Sequence, residues 1–353
     1  MLRSLCEDPR TDPEGDVVAD AHSRPAPPFV RTPDENFADL AGFPYEPHYL
    51  DLDGLRMHYV DEGPRDAPVA LLVHGMPTWG YLYRTMIPPL LGAGYRCVAP
   101  DHIGFGRSDK VTEPAWYGTA RHTANLTRLI EALGLRRITI FVQDWGGPTG
   151  LAQVVTSPER FERVVVMNTW LHHDGFEYSP GIQHWIRQNL PGGLFRDAVP
   201  DRFGWGTLMA IGTRRASPAD ALMPLLQGGT ATLSPEAEAV RAAYDAPFAG
   251  LGEVGVTGPR QFPLSIPFHD HARGDGDAQA RHFAQLSTLP LPMHLVWGLA
   301  DDVFTGEWGR RWHARLPHAS WDAFDDAGHF LQDTHGERIA RIVLDHAGPI
   351  SRR

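Results

Sequence analysis

The run Phe141-Val142-Gln143-Asp144-Trp145-Gly146-Gly147 decides how this chain is read. It continues the β-branched segment Ile138-Thr139-Ile140, and the paired glycines allow a helix to start close against the strand before it. Strand, sharp turn and helix in that order describe a nucleophile elbow, which presents one side chain at the top of a sheet. The residue presented is Asp144. Aspartate is also a favoured helix N-cap, so the stretch acquires chemical meaning only from its surroundings.

Working outward, the wholly apolar Val69-Ala70-Leu71-Leu72-Val73 reads as a strand buried on both faces. It runs into His74-Gly75-Met76-Pro77 and then a helix from about Trp79 to about Leu91. Tyr95-Arg96-Cys97-Val98-Ala99 is the next strand, and Leu126, Leu129, Ile130 and Leu133 mark a helix that stops at Gly134. After the elbow comes the strand Val164-Val165-Val166-Met167. Upstream, Asp53-Gly54 between two strand-like segments is a hairpin signal. The alternation of strands and helices predicts an α/β fold with a mostly parallel, doubly wound sheet and an N-terminal hairpin.

The rhythm breaks from Leu171 to Phe268, where Pro, Gly and Trp separate helical fragments, and resumes at Met293-His294-Leu295-Val296-Trp297-Gly298. A last helix is expected from about Glu337 to Ala347. This divides the chain into a disordered extension (1–36), a first core part (37–170), a helical cap (171–268) and a second core part (269–353). The formal net charge of −11 argues against a nucleic-acid partner. No apolar run reaches the length of a membrane span, and the N-terminus lacks the apolar stretch of a signal peptide. Cys6 lies in an unpatterned tail and Cys97 in a strand, which predicts no disulfide and a cytoplasmic protein.

Open α/β sheets bind ligands in loops beyond the carboxyl ends of their strands. Asp144, Asp301 and His329 fall in such loops, in the chain order nucleophile, acid, histidine of α/β-hydrolase triads. Asp301 competes with its neighbour Asp302, and the spacing from Gly298 favours Asp301. Asn168, in the alternative place for the acid, cannot ionise. His172-His173 and His269-Asp270-His271 have no third ligand at a metal-site spacing, so no metal is expected. Gly104-Phe105-Gly106 lacks the lysine of a phosphate loop.

Together with the elbow, His74-Gly75-Met76-Pro77-Thr78-Trp79, the run Ile103-Gly104-Phe105-Gly106-Arg107-Ser108-Asp109-Lys110, Tyr244-Asp245-Ala246-Pro247-Phe248 and the Gly328-His329-Phe330 turn resemble the haloalkane dehalogenases. The resemblance extends from about Phe29 to the C-terminus. It implies the α/β-hydrolase fold, Asp144 as nucleophile, His329 as base, Asp301 as its partner, and no cofactor. It also implies an oxyanion hole from the backbone of Met76 and Trp145, and halide donation by the indole of Trp145 with a second donor. Met76 cannot donate through its side chain, which leaves a cap tryptophan: Trp185, with Trp205 as runner-up. Phe262, Ile266, Val303 and Phe304 are then the apolar pocket. Met76 and His102 depart from the residues commoner in the family. The implied substrate is a small apolar halogenated molecule, hydrolysed to a primary alcohol and halide by a monomer or weak homo-oligomer.

An aspartate suits this chemistry. Serine displacing halide from a saturated carbon would leave an ether, whereas a carboxylate leaves an ester that water can cleave. An epoxide hydrolase shares that nucleophile but needs cap tyrosines, and the insertion offers Tyr178 and Tyr244. A luciferase-like monooxygenase and a non-catalytic ligand-binding relative are the remaining alternatives.

Overall fold

Val69–Val73 and Ile138–Asp144 carry no exposed residue, and strands buried on both faces belong at the centre of a sheet covered by helices. A computed structural model of the chain describes residues 26–193, 196–197, 204–212 and 233–347. Its main sheet has eight strands: β1 (His48–Leu52), β2 (Leu55–Glu62), β3 (Val69–Val73), β4 (Arg96–Pro100), β5 (Ile138–Asp144), β6 (Phe161–Thr169), β7 (Met293–Gly298) and β8 (Ser320–Phe324). Their order is β8-β7-β6-β5-β3-β4-β2-β1. β1 and β2 form an antiparallel hairpin about Asp53-Gly54, β2 is antiparallel to β4, and all other pairings are parallel. In register, Val73 faces Val142 and Asp144 faces Thr169, with an irregularity between Gln143 and Asp144 where the elbow leaves the ladder.

Helices α1 (Ile87–Gly92), α2 (Thr119–Ala132) and α3 (Gly146–Thr156) connect the first strands. The segment expected as one helix from Trp79 is a 3₁₀ turn, Gly80–Tyr83, followed by α1, because Pro88 and Pro89 fit only the first turn of a helix. The insertion contributes α4 (Pro180–Asn189), α5 (Trp205–Gly212) and α6 (Pro235–Asp245), with α5 packed on α6. Short helical turns from Gly252 onward lead to α7 (Gly276–Leu286), α8 (Gly306–Arg315) and α9 (Leu331–Ala347). α9 begins earlier than the sequence suggests.

Residues 26–36, read as part of a disordered extension, are instead held on the core. Phe29–Val30 pairs antiparallel with Lys110–Val111, and Arg31 grips Asp109 through two hydrogen bonds of 2.6 and 2.7 Å. Thr32 Oγ1 donates to the Pro247 carbonyl at 2.6 Å. These single anchors have no periodicity, which is why the pattern hides them. The first 25 residues lie outside the described part.

Candidate active site

Asp144 ends β5 with φ +49°, a left-handed backbone that non-glycine residues seldom adopt. Its cost is of the order of 1–3 kcal/mol, which the surrounding structure must outweigh. The surroundings are closed by glycines. A Cβ on Gly146 would overlap the Val73 carbonyl, and one on Gly147 the Thr169 hydroxyl, so α3 can start this close to β3 and β6 only without them. A Cβ on Gly75 would overlap the Asp144 carboxylate. Its absence lets the loop after β3 deliver the Met76 backbone N–H to Asp144 Oδ2 at 2.8 Å. The Trp145 backbone N–H also bonds this carboxylate.

His329 stands between β8 and α9. Its Nδ1 lies 2.8 Å from Asp301 Oδ2, and its Nε2 lies 3.7 Å from Asp144 Oδ1. Asp301 is buried in the loop after β7, whereas Asp302 is exposed, so Asp301 is the carboxylate brought to the imidazole. Asp301 Oδ1 accepts the Val303 N–H at 2.7 Å and Oδ2 accepts from Asn168 Nδ2 at 2.8 Å. Asn168 Oδ1 in turn accepts the Gly298 N–H at 2.7 Å, fixing the end of β7. Gln143 Nε2 is 3.1 Å from the His329 carbonyl oxygen and 3.2 Å from His329 Nε2.

Electrostatics follow from burial and these partners. Burial pushes the Asp144 carboxyl up to about 6, against the pull of His329 and the Met76 and Trp145 N–H groups. Burial works against the His329 cation, yet the Asp301 carboxylate outweighs it and the imidazole is raised overall. For Asp301, burial raises, but His329 and the hydrogen bonds from Asn168 and Val303 prevail and the carboxyl is lowered.

Apolar and aromatic side chains cluster beside the elbow. The Trp145 ring meets Trp170 edge-on at 4.7 Å and Phe262 at 4.8 Å between centroids. Phe304 stacks on Trp170 at 5.5 Å and lies 5.4 Å from His329. Phe262, Ile266 and Phe304 are buried, and Val303 is half-buried beneath the cap, its carbonyl accepting from Ser179 Oγ at 2.6 Å. Ser179 caps α4, which carries Trp185, half-buried and packed against the same cluster. Trp205 is buried, and its indole N–H has no acceptor among the described residues. The Met76 side chain lies in the apolar cluster while its backbone faces Asp144. His102 is buried against His74, and burial lowers its imidazole well below the ordinary value.

Two residues near the site escaped the sequence reading. Asn168 does not ionise, but it acts on Asp301 by hydrogen bonding. Thr169 Oγ1 donates to the Asp144 carbonyl and steadies the strained residue. No motif marks Thr169.

An aspartate on a nucleophile elbow, backed by a histidine and a second carboxylate, defines a hydrolase of the α/β class. Residues 68–336 match the family model for the alpha/beta hydrolase fold. The chain is 36% identical to the haloalkane dehalogenase of Psychrobacter cryohalolentis, with 90% of this chain and 97% of the relative covered. The tetrameric haloalkane dehalogenase DpaA of Paraglaciecola agarilytica NO2 superposes with a TM-score of 0.73 at 30% identity, covering 89% of this chain and 97% of that one. A cis-3-alkyl-4-alkyloxetan-2-one decarboxylase of Shewanella oneidensis is 30% identical, covering 85% of this chain and 87% of the relative. The chain belongs to the haloalkane dehalogenase family.

Proposed function

We propose that the protein hydrolyses small apolar haloalkanes to a primary alcohol and halide, through an ester on Asp144. One observation carries this reading. Asp144 Oδ2 accepts the Met76 backbone N–H at 2.8 Å, the Trp145 backbone N–H bonds the same carboxylate, and Oδ1 faces His329 Nε2 across 3.7 Å. Oδ1 attacks the halogenated carbon; the C–O bond forms as the carbon–halogen bond breaks, and the halide leaves with its electron pair. Oδ2 becomes the ester carbonyl oxygen, already in place in an oxyanion hole. Water then adds to the carbonyl carbon of Asp144 and gives its proton to His329 Nε2, with Asp301 stabilising the imidazolium. Collapse of the tetrahedral species breaks the bond to the alkoxide, which takes the proton from His329 and departs as the alcohol.

The departing halide requires donors in an apolar setting. We assign the Trp145 indole, which follows the nucleophile directly, and Trp185 from α4, with Trp205 as the alternative. Phe262, Ile266, Val303 and Phe304 line the substrate pocket. Buried Cys97, a free thiol, fits a cytoplasmic setting. Among the described residues only Val254 and Phe268 are large exposed hydrophobics, which supports a monomer or weak homo-oligomer.

The epoxide-hydrolase alternative loses support because both candidate hydroxyls are occupied. Tyr244 donates to Asp333 at 3.0 Å, and Tyr178 is bonded to His172 Nδ1 at 2.8 Å. The Shewanella relative favours a second reading, action on an oxetan-2-one. Purified protein is incubated in parallel with a short bromoalkane and a cis-dialkyl oxetan-2-one, without added metal or cofactor. Halide release that disappears in Asp144→Asn is the expected result; carbon dioxide from the lactone with no halide from the bromoalkane moves the assignment to the second reading.

A further inference from the structure

Gln143, the residue before the nucleophile, is fully buried, and its amide sits against the imidazole of His329. Its orientation can be assigned by elimination. The atom 3.1 Å from the His329 carbonyl oxygen must be a donor, because a carbonyl can only accept. That places the amide nitrogen there. The same nitrogen carries a second hydrogen and lies 3.2 Å from His329 Nε2. Two N–H groups cannot face each other at that distance, so Nε2 presents its lone pair and the ring is neutral, with its proton on Nδ1 toward Asp301. Gln143 Oε1 has no partner among the described residues, so the two N–H bonds alone orient the amide.

We propose that Gln143 is a positioning residue that holds His329 neutral in the resting enzyme, with Nε2 as acceptor, and yields Nε2 to the hydrolytic water. The inference rests on the assignment of His329 as the base for ester hydrolysis. A cationic imidazole in the resting enzyme would pair with Asp144 Oδ1 and blunt the nucleophile before substrate arrives. Among the described residues the charged groups facing the imidazole are Asp301, from the loop after β7, and Asp144, from the elbow; both favour the cation. Phe304 and Phe330 cover it with rings and supply no charge. Burial opposes the cation, and the Gln143 N–H adds to that opposition, since it bonds the neutral ring and is lost when Nε2 takes up a proton. Gln143 thereby sets the acid limb of the second half-reaction as well as the readiness of the first.

Rapid-mixing measurements with a bromoalkane test this, because the halide burst and the following ester hydrolysis are read separately across pH. In Gln143→Met, which keeps the volume and removes the donors, the acid limb of hydrolysis moves up by about one pH unit. In Gln143→Glu it moves further, a carboxylate having replaced the amide. An acid limb coincident with that of the native enzyme, whatever the plateau rate, would reduce Gln143 to packing and overturn the proposal. If the variants do not fold, the ¹⁵N resonances of His329 in the native enzyme at about pH 8 decide. An unprotonated, hydrogen-bonded Nε2 is expected, and a protonated Nε2 contradicts it. Failure of the native enzyme to release halide at all is a separate outcome, which sinks the functional reading and not the tautomer.

Discussion

Asn168 Nδ2 donates at 2.8 Å to Asp301 Oδ2, the same carboxylate oxygen that His329 Nδ1 approaches at 2.8 Å. Asn168 holds this place with φ +26°, a strained backbone whose persistence is explained by what its side chain joins: Asp301 through Nδ2 and the Gly298 N–H through Oδ1. The amide therefore fixes the acid and stabilises its charged form. Asn168→Ala is expected to slow ester hydrolysis about tenfold, the equivalent of one buried hydrogen bond to a charged group. Single-turnover decay of the ester checks this, and an unchanged decay would remove Asn168 from the account.

The pH dependence of the first step follows from Asp144. Burial pushes its carboxyl up to about 6, and only the carboxylate attacks carbon. Halide release in a single turnover should be half-maximal near pH 6 and fall about tenfold per unit below it. An unshifted carboxyl would hold full activity to about pH 5. A burst rate flat down to that value contradicts the burial argument.

Trp185 offers a test of how the cap takes part. Trp185→Phe retains the aromatic packing on α4 and removes the donor. Halide affinity, followed by quenching of indole fluorescence, should weaken about tenfold or more, as for loss of a hydrogen bond to an anion. Unchanged affinity transfers the role to Trp205, whose buried N–H is without an acceptor among the described residues.

The start of α3 has a steric basis that a single methyl group tests. In Gly146→Ala the new Cβ would overlap the Val73 carbonyl, a backbone atom that cannot swing away. Destabilisation of about 3 kcal/mol or more is expected, seen as a large fall in the thermal midpoint or as insoluble protein. A variant melting within a degree or two of the native protein would show that the elbow has slack.

How much of this was legible beforehand depended on whether a residue works by pattern or by place. Asp144, Asp301 and His329 were readable because each follows a strand, and their chain order is that of a known type of triad. The core strands were readable because burial on both faces leaves unbroken apolar runs. β8 was not, since the edge strand Ser320–Phe324 mixes Trp321 and Phe324 with polar Ser320 and Asp322 and lacks such a run. The sequence pattern starts α9 too late because Asp333, His335 and Gly336 dilute its first turns, although the helix starts at Leu331. Asn168 was missed for a chemical reason: a search for ionisable groups overlooks an amide that acts by directing a carboxylate.

The claim on which everything else depends is the covalent ester, and His329→Phe isolates it, because the first step needs only Asp144 while the second needs the base. The variant is mixed with a short bromoalkane, released halide is counted, and the chain is weighed by mass spectrometry before and after digestion. The account predicts about one halide per chain and a peptide containing Asp144 heavier by the alkyl group. Continued turnover, or halide release with an unmodified Asp144, would contradict it.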